Sequence, residues 1–260
     1  MARSDAKLAQ SFQLPMGNVL LAAPGPAVLT QNIQRSSLMG CVQVACTDPL
    51  AEVNDITLSG QSLWVSSNPA GIQVFAGTAS AAENRYIGIP ITAQSQVQVS
   101  TTLSAGGRVG ASITTDPVDD TVPIASIDEF GPMLNYCGGI FPTGGTNVIA
   151  GATAIVNTVI RRDIVIGRLV VYALDPATGL PSPIGTCTVD AISVNNLALQ
   201  SGPANTPSPV ESFSPQAFDG NGGNTAYFPA ETNSVFSITV TNQSLAAQTF
   251  FGAFWCLPPV

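Results

Sequence analysis

Proline and glycine interrupt this chain too often for long helices to form. Twenty prolines and 24 glycines are spread through its 260 residues. An interior proline removes a backbone donor and clashes with the preceding turn, and an interior glycine costs about 1 kcal/mol of helix stability. Between the breaks lie short runs of Val, Ile, Thr and Phe in which apolar and polar residues alternate. A period of two bounded by turn residues specifies β-strands. The alternation is clearest in Gln96-Val97-Gln98-Val99-Ser100 and in Phe236-Ser237-Ile238-Thr239-Val240-Thr241. There one side is apolar and the other carries hydroxyls and amides, as in an antiparallel sheet with a single buried face. Ile164 to Val171 is almost continuously apolar, which suits a central strand covered on both sides.

The strands expected on this basis are Cys41–Cys46, Ile56–Leu58, Leu63–Val65, Ile72–Phe75, Val97–Leu103 and Val109–Ile113 in the first half. Ala154–Ile160, Ile164–Leu174, Thr186–Val194, Val235–Thr241 and Thr249–Cys256 follow in the second. Three stretches rich in Pro, Gly and Asp read as long loops: Asp116–Pro142, Asp175–Gly185 and Gly202–Pro229. The chain is therefore expected to be all-β, an antiparallel sandwich with long Pro/Gly-rich loops. No internal repeat is evident. A soft boundary falls near 116–142, but composition is strand-like on both sides of it. The reading is an N-terminal arm over 1–35 and one sandwich over 36–260.

Charge then limits what such a sandwich can do. Eight basic and sixteen acidic residues make up 9% of the chain, with a net charge of −8, where about a quarter is usual. A monomer of this size exposes on the order of 10,700 Å², so Ser, Thr, Asn, Gln and apolar groups must cover most of it. Uncharged flanks of that extent mark interaction surfaces, and burial against other copies is the simplest resolution. The basic residues sit mainly at Arg3 and Lys7 and at Arg161, Arg162 and Arg168, too few for a phosphate-binding surface. Direct nucleic-acid binding is not expected.

Histidine is absent and Lys7 is the only lysine. Ser-His-Asp and Cys-His nucleophiles, imidazole metal sites and Lys-tipped phosphate loops cannot be built. Gly106-Gly107 and Gly144-Gly145 read as turn glycines. Asp116, Asp119, Asp120, Asp128 and Glu129 form the densest acidic cluster. Carboxylates so grouped can hold Ca²⁺ at an interface or supply a general-acid/base pair; the simplest reading is an acidic solvent-facing loop. Asp219, Asn221 and Asn224 give a second, weaker calcium-like spacing. No enzyme activity and no cofactor other than that Ca²⁺ are expected. The cysteines Cys41, Cys46, Cys137, Cys187 and Cys256 are an odd set without metal-ligand spacing and read as free thiols made in a reducing cytoplasm. The apolar stretch Val19–Ala23 is broken at once by Pro24-Gly25-Pro26, so neither a secretion signal nor a bilayer span is expected.

The closing run Thr249-Phe250-Phe251-Gly252-Ala253-Phe254-Trp255-Cys256 follows the alternating segment Asn233–Asn242 and the linker Gln243–Gln248. Over these last thirty or so residues the chain resembles the closing strand pair of viral jelly-roll capsid proteins. The resemblance implies a jelly-roll sandwich whose loops and termini tie neighbouring subunits together in a virion. The chain departs from capsids with a basic RNA-binding arm, and is closer to the acidic shells of icosahedral membrane-containing bacteriophages, laid over an internal membrane or inner shell. Expected partners are copies of itself and other virion proteins. Subunit contacts are expected at Phe12, Leu14, Phe130, Pro207, Phe213, Phe218, Leu257 and Val260. The competing readings are a virion spike, fibre or decoration protein binding a host receptor, and a secreted carbohydrate-binding or adhesive module.

Overall fold

The computed structural model describes residues 12–63, 68–75, 86–117, 139–161, 163–199, 207–213 and 225–257. Its elements are strands and two short 3-10 turns. The first nine strands are β1 (Phe12–Leu21), β2 (Gly25–Asn32), β3 (Ser37–Cys46), β4 (Glu52–Leu58), β5 (Gln61–Ser62), β6 (Ala70–Gly71), β7 (Tyr86–Ile91), β8 (Gln96–Leu103) and β9 (Gly107–Pro117). The next nine are β10 (Gly139–Val148), β11 (Thr153–Val159), β12 (Ile164–Leu174), β13 (Cys187–Val194), β14 (Leu197–Ala198), β15 (Ser208–Pro209), β16 (Thr225–Ala230), β17 (Val235–Asn242) and β18 (Gln248–Leu257).

The strands build four antiparallel sheets. Sheet A has the order β1-β9-β3-β7 and sheet B the order β2-β8-β4-β5, with β6 also paired to β4. Sheet C has the order β10-β18-β12-β16 and sheet D the order β11-β17-β13-β14, with β15 paired to β13. Each strand in C and D is the one nine places after its counterpart in A and B. The molecule is one jelly roll followed by a second, with the strands longer than two residues alternating between two facing sheets.

The repetition extends to irregularities. The β3 ladder with β9 slips between Met39 and Val42, and the β12 ladder with β18 slips between Ile166 and Leu169. An extra residue stands at Asn54 in β4 and at Asp190 in β13. Asn54 Nδ2 donates to Thr102 Oγ1 at 2.8 Å, and Asp190 accepts from the hydroxyl of the equivalent Thr241. Both hairpins after those strands turn on two residues at positive φ, Ser59-Gly60 (48° and 84°) and Asn195-Asn196 (49° and 65°). That is type I′ geometry, whose twist matches the flanking strands. Ile33 N donates to Ser95 O at 2.8 Å, and Ile160 N to Ser234 O at 2.9 Å.

Several expectations are corrected here. Residues 12–32, read as part of an arm, supply β1 and β2. The expected single sandwich of 36–260 is a duplicated one whose halves meet across the 116–142 stretch, and that stretch and Gly202–Pro229 contain parts of β10, β15 and β16. Ile72–Phe75 is not a strand but contains a 3-10 turn at Ile72–Val74, matched by Val210–Phe213 in the second half. Leu63 follows β5 outside any strand, and 64–67 lie outside the described residues. Gly144 and Gly145 lie within β10 rather than in a turn.

Two cores fill the sandwiches. One gathers residues of sheets A and B, such as Met39, Val44, Ile56 and Val99, with Phe75 from the end of the 3-10 turn at Ile72–Val74. The other gathers sheets C and D, with Val171, Val189, Phe236, Ile238 and Phe250. Sheet C contributes to both. Val171, Ala173 and Phe250 face the second core, whereas Val170, Tyr172, Leu174, Phe251 and Ala253 belong to the first. Alternation along a strand sends neighbours to opposite faces, so sheet C is the layer that joins the halves.

That seam is tight. The rings of Tyr172 and Phe251 stack with centroids 5.2 Å apart. A Cβ added to Gly71 would overlap the Tyr172 hydroxyl and lie 2.7 Å from Phe251 Cδ1. One added to Gly145 would lie 2.8 Å from Phe251 Cε1 and 3.1 Å from Glu52 Oε1. Glu52 reaches the seam from β4, where burial raises its carboxyl above the usual range, opposed in part by the Gly145 backbone N–H.

Buried polar residues fasten the loop ends of each half. Asp48 is 5% exposed and accepts from Leu50 N at 3.0 Å, Ser104 N at 2.6 Å, Ala105 N at 3.0 Å and the Ser104 hydroxyl at 2.9 Å. In the second half Asn242 is fully enclosed. Its Nδ2 donates to Val148 O at 2.9 Å and Ala246 O at 2.8 Å, and its Oδ1 accepts from Ser244 N at 2.9 Å.

Candidate assembly surface

The outward faces of sheets B and D follow from the alternation in their strands. In β8 the burial pattern sends Val97, Val99 and Leu103 inward and Gln96, Gln98, Ser100 and Thr102 outward or part-way. Register sets Val28 against Ser100 and Thr30 against Gln98 on β2, and Asp55 and Thr57 against the same residues on β4. In sheet D, β17 buries Phe236, Ile238 and Val240 and turns Val235, Ser237, Thr239 and Thr241 outward. Ile155 lies opposite Thr239, and Val159 opposite Val235.

These faces are rich in hydroxyls, amides and exposed aliphatics. Ile155 is 63% exposed, Val28 51% and Val159 50%. Away from the seam, the charges on them among the described residues are Asp55 and Asp190. Both are drawn into hydroxyl pairs: Ser62 Oγ donates to Asp55 Oδ1 at 2.7 Å, and Thr188 Oγ1 donates to Asp190 Oδ1 at 2.6 Å. Burial nevertheless raises the Asp55 carboxyl, the Ser62 hydrogen bond opposing it. Thr153 and Thr241 hydroxyls pair at 2.7 Å across β11 and β17, and Gln96 Nε2 donates to Asn32 Oδ1 at 3.2 Å. A face whose polar groups satisfy one another along the ladder sheds water at lower cost than one studded with ions.

Of the residues expected to make subunit contacts, the structure describes the side chains of Leu14, Pro207 and Phe213. Phe213 is buried in the second core, where it matches Phe75 of the first; it is therefore taken up inside the chain. Leu14 is half-buried and packs on the first core. Pro207 is exposed just before β15. Phe12 and Leu257 lie at strand ends, their side chains outside the described set, and Phe130, Phe218 and Val260 lie outside the described residues.

Of the acidic cluster, only Asp116 falls in a described strand, at the end of β9 opposite Leu38. Asp119, Asp120, Asp128, Glu129, Asp219, Asn221 and Asn224 lie outside the described residues. Among those described, no three His, Cys, Asp or Glu side chains come together as a metal site. Cys46 and Cys187 are free thiols, and burial raises both.

Sequence reasoning missed the seam. Its signal was the contrast between two matched strands: Tyr172 and Phe251 are paired in register on sheet C, and Ala45 and Gly110 are paired at the same ladder position on sheet A.

No family model and no curated protein sequence matches the chain. Among solved structures, a peptide-N(4)-(N-acetyl-β-D-glucosaminyl) asparagine amidase shares 11% identity over 94% of this chain and 96% of its own, with a TM-score of 0.32. The secreted serine protease VesC from Vibrio cholerae shares 11% over 94% of this chain and 50% of its own, with a TM-score of 0.21. At such scores neither likeness bears on the fold or the function.

Proposed function

We propose that this chain is a structural virion protein, a capsid subunit that assembles with copies of itself into a closed shell through the uncharged flanks of its sandwiches. The observation that carries the reading is the outward surface of sheets B and D, where self-paired hydroxyls and amides surround exposed Val28, Ile155 and Val159. A surface of this kind loses little on leaving water and gains from apolar contact at roughly 25 cal/mol per Å². A rigid tandem jelly roll with tight type I′ hairpins gives a block of fixed shape, which repeated packing needs. The expected partners are sibling subunits and other virion proteins, over an internal membrane or inner shell.

Mass measurement and negative-stain microscopy of the purified full chain test the proposal. Regular oligomers or closed particles are expected at micromolar concentration. A protein that stays monodisperse and monomeric at high micromolar loading across ordinary salt conditions overturns it.

A further inference from the structure

We infer that the outward face of sheet A seats the Ser208–Pro209 edge of a second copy of this chain, head to tail. The inference rests on the self-assembly reading and gives it a specific surface. Within one chain, the outward face of sheet C lies against the Ala70–Gly71 edge of the first half. The seam thus joins two unlike surfaces, and duplication supplies each of them a second time: sheet A presents the equivalent face, and β15 the equivalent edge.

The sizes at these two surfaces are reversed relative to the seam. In the seam the face is bulky, with Tyr172 and Phe251, and the edge is minimal, with Ala70 and Gly71. Register places Ala45 and Gly110 at the Tyr172 and Phe251 positions of sheet A. It places Ser208 and Pro209 at the Ala70 and Gly71 positions of the edge, since Glu52 pairs Gly71 as Thr188 pairs Pro209. A shallow face meets a filled edge, so close packing is kept with the volumes exchanged. Ala45 and Pro209 are both exposed in the single chain.

Charge agrees with shape. Arg108 is exposed on this face beside Leu20, itself 66% exposed. The turn after β15 carries Glu211 where the first half has Gln73 beside Tyr172. Glu211 Oε1 accepts from Gly185 N at 3.1 Å and its Oε2 is enclosed, so it offers Arg108 an attraction from behind the edge rather than a direct ion pair. Two unlike, mutually fitting surfaces make a heterologous contact, which closes into a ring or continues as a filament.

The test blocks each surface separately in the full chain. Ala45→Trp fills the face and leaves the edge; Pro209→Trp fills the edge and leaves the face. Sedimentation velocity should show that each variant alone loses the association of the parent chain by about tenfold or more in dissociation constant. An equimolar mixture should form a two-chain species, because one intact face remains for one intact edge. Arg108→Glu, which adds no bulk, should weaken association of the parent chain while its circular dichroism and unfolding midpoint stay unchanged, so the contact remains testable if a tryptophan variant fails to fold. If the parent associates and none of the three variants alters it, or if the two folded tryptophan variants mix without pairing, this contact is wrong while self-assembly stands. A parent chain that never associates removes both.

Discussion

At the scale of single residues, enclosed polar groups rather than ion pairs fasten the loops among the described residues. Asp48 is the clearest: one carboxylate takes three backbone N–H groups and a hydroxyl, tying the β3–β4 loop to the β8–β9 turn. Removing such an acceptor takes the partner from three part-buried N–H donors at once, where leaving a single buried group unpaired costs about 1–3 kcal/mol and partial access of water lowers that figure. Asp48→Ala should therefore lower the unfolding free energy by about 3 kcal/mol, read from urea denaturation by tryptophan fluorescence. A loss under about 1 kcal/mol would show that water replaces the carboxylate without strain. The two halves use different residues for this task. Leu103 stands in the first half where Asn242 stands in the second, and no local sequence pattern marks either as a fastener.

At the scale of elements, what the sequence reveals depends on where a strand sits in its sheet. The strands read correctly, such as β8, β12, β13, β17 and β18, include the central members, whose apolar residues either alternate, as in β8 and β17, or run almost unbroken, as in β12 and β18. Among the strands longer than two residues, five were not foreseen: β1, β2, β7, β10 and β16. Each lies at the edge of its sheet, and each contains a proline: Pro15, Pro26, Pro90, Pro142 and Pro229. A proline reads as a strand breaker, yet an edge strand has one row of donors that need no partner, so the residue is tolerated there. The prolines also repeat. Pro15 and Pro142 occupy one ladder position, opposite Ser112 and Ala253, and Pro90 and Pro229 occupy another, opposite Leu38 and Val165. They blunt edges that would otherwise template pairing with another chain. Pro90→Val combined with Pro229→Val should speed aggregation on gentle heating, followed by light scattering and thioflavin fluorescence. Unchanged scattering would show that the edges are protected by something else.

At the scale of the whole molecule, scarcity of charge raises the expectation of hidden surface without naming the residues that would form it. Phe213 illustrates the gap: a lone aromatic in a Pro-rich stretch looks like a contact residue until its counterpart Phe75 shows it to be core. The few carboxylates that do enter the assembly of sheets leave a signature in pH. Burial raises the Glu52 and Asp55 carboxyls above their usual range. A group whose folded pKa is raised holds its proton more tightly when folded. Its contribution is present below the unfolded value, about pH 4, and is lost as pH climbs through the folded value. Glu52→Gln together with Asp55→Asn should thus leave stability near pH 3.5 little changed and raise it at neutral pH, seen as a higher urea midpoint. A lower midpoint at neutral pH would mean that the ionised forms are the ones the fold prefers.

The stacked pair of Tyr172 and Phe251 has one more implication, for anyone who would rebuild the molecule from its parts. A synthetic tandem made of the first half twice would set Gly110 opposite Gly71 and leave a gap where two rings belong. One made of the second half twice would drive Pro209 into Phe251. Although their topology is the same, the halves have become left and right hands, and a chimera must keep their order to fold.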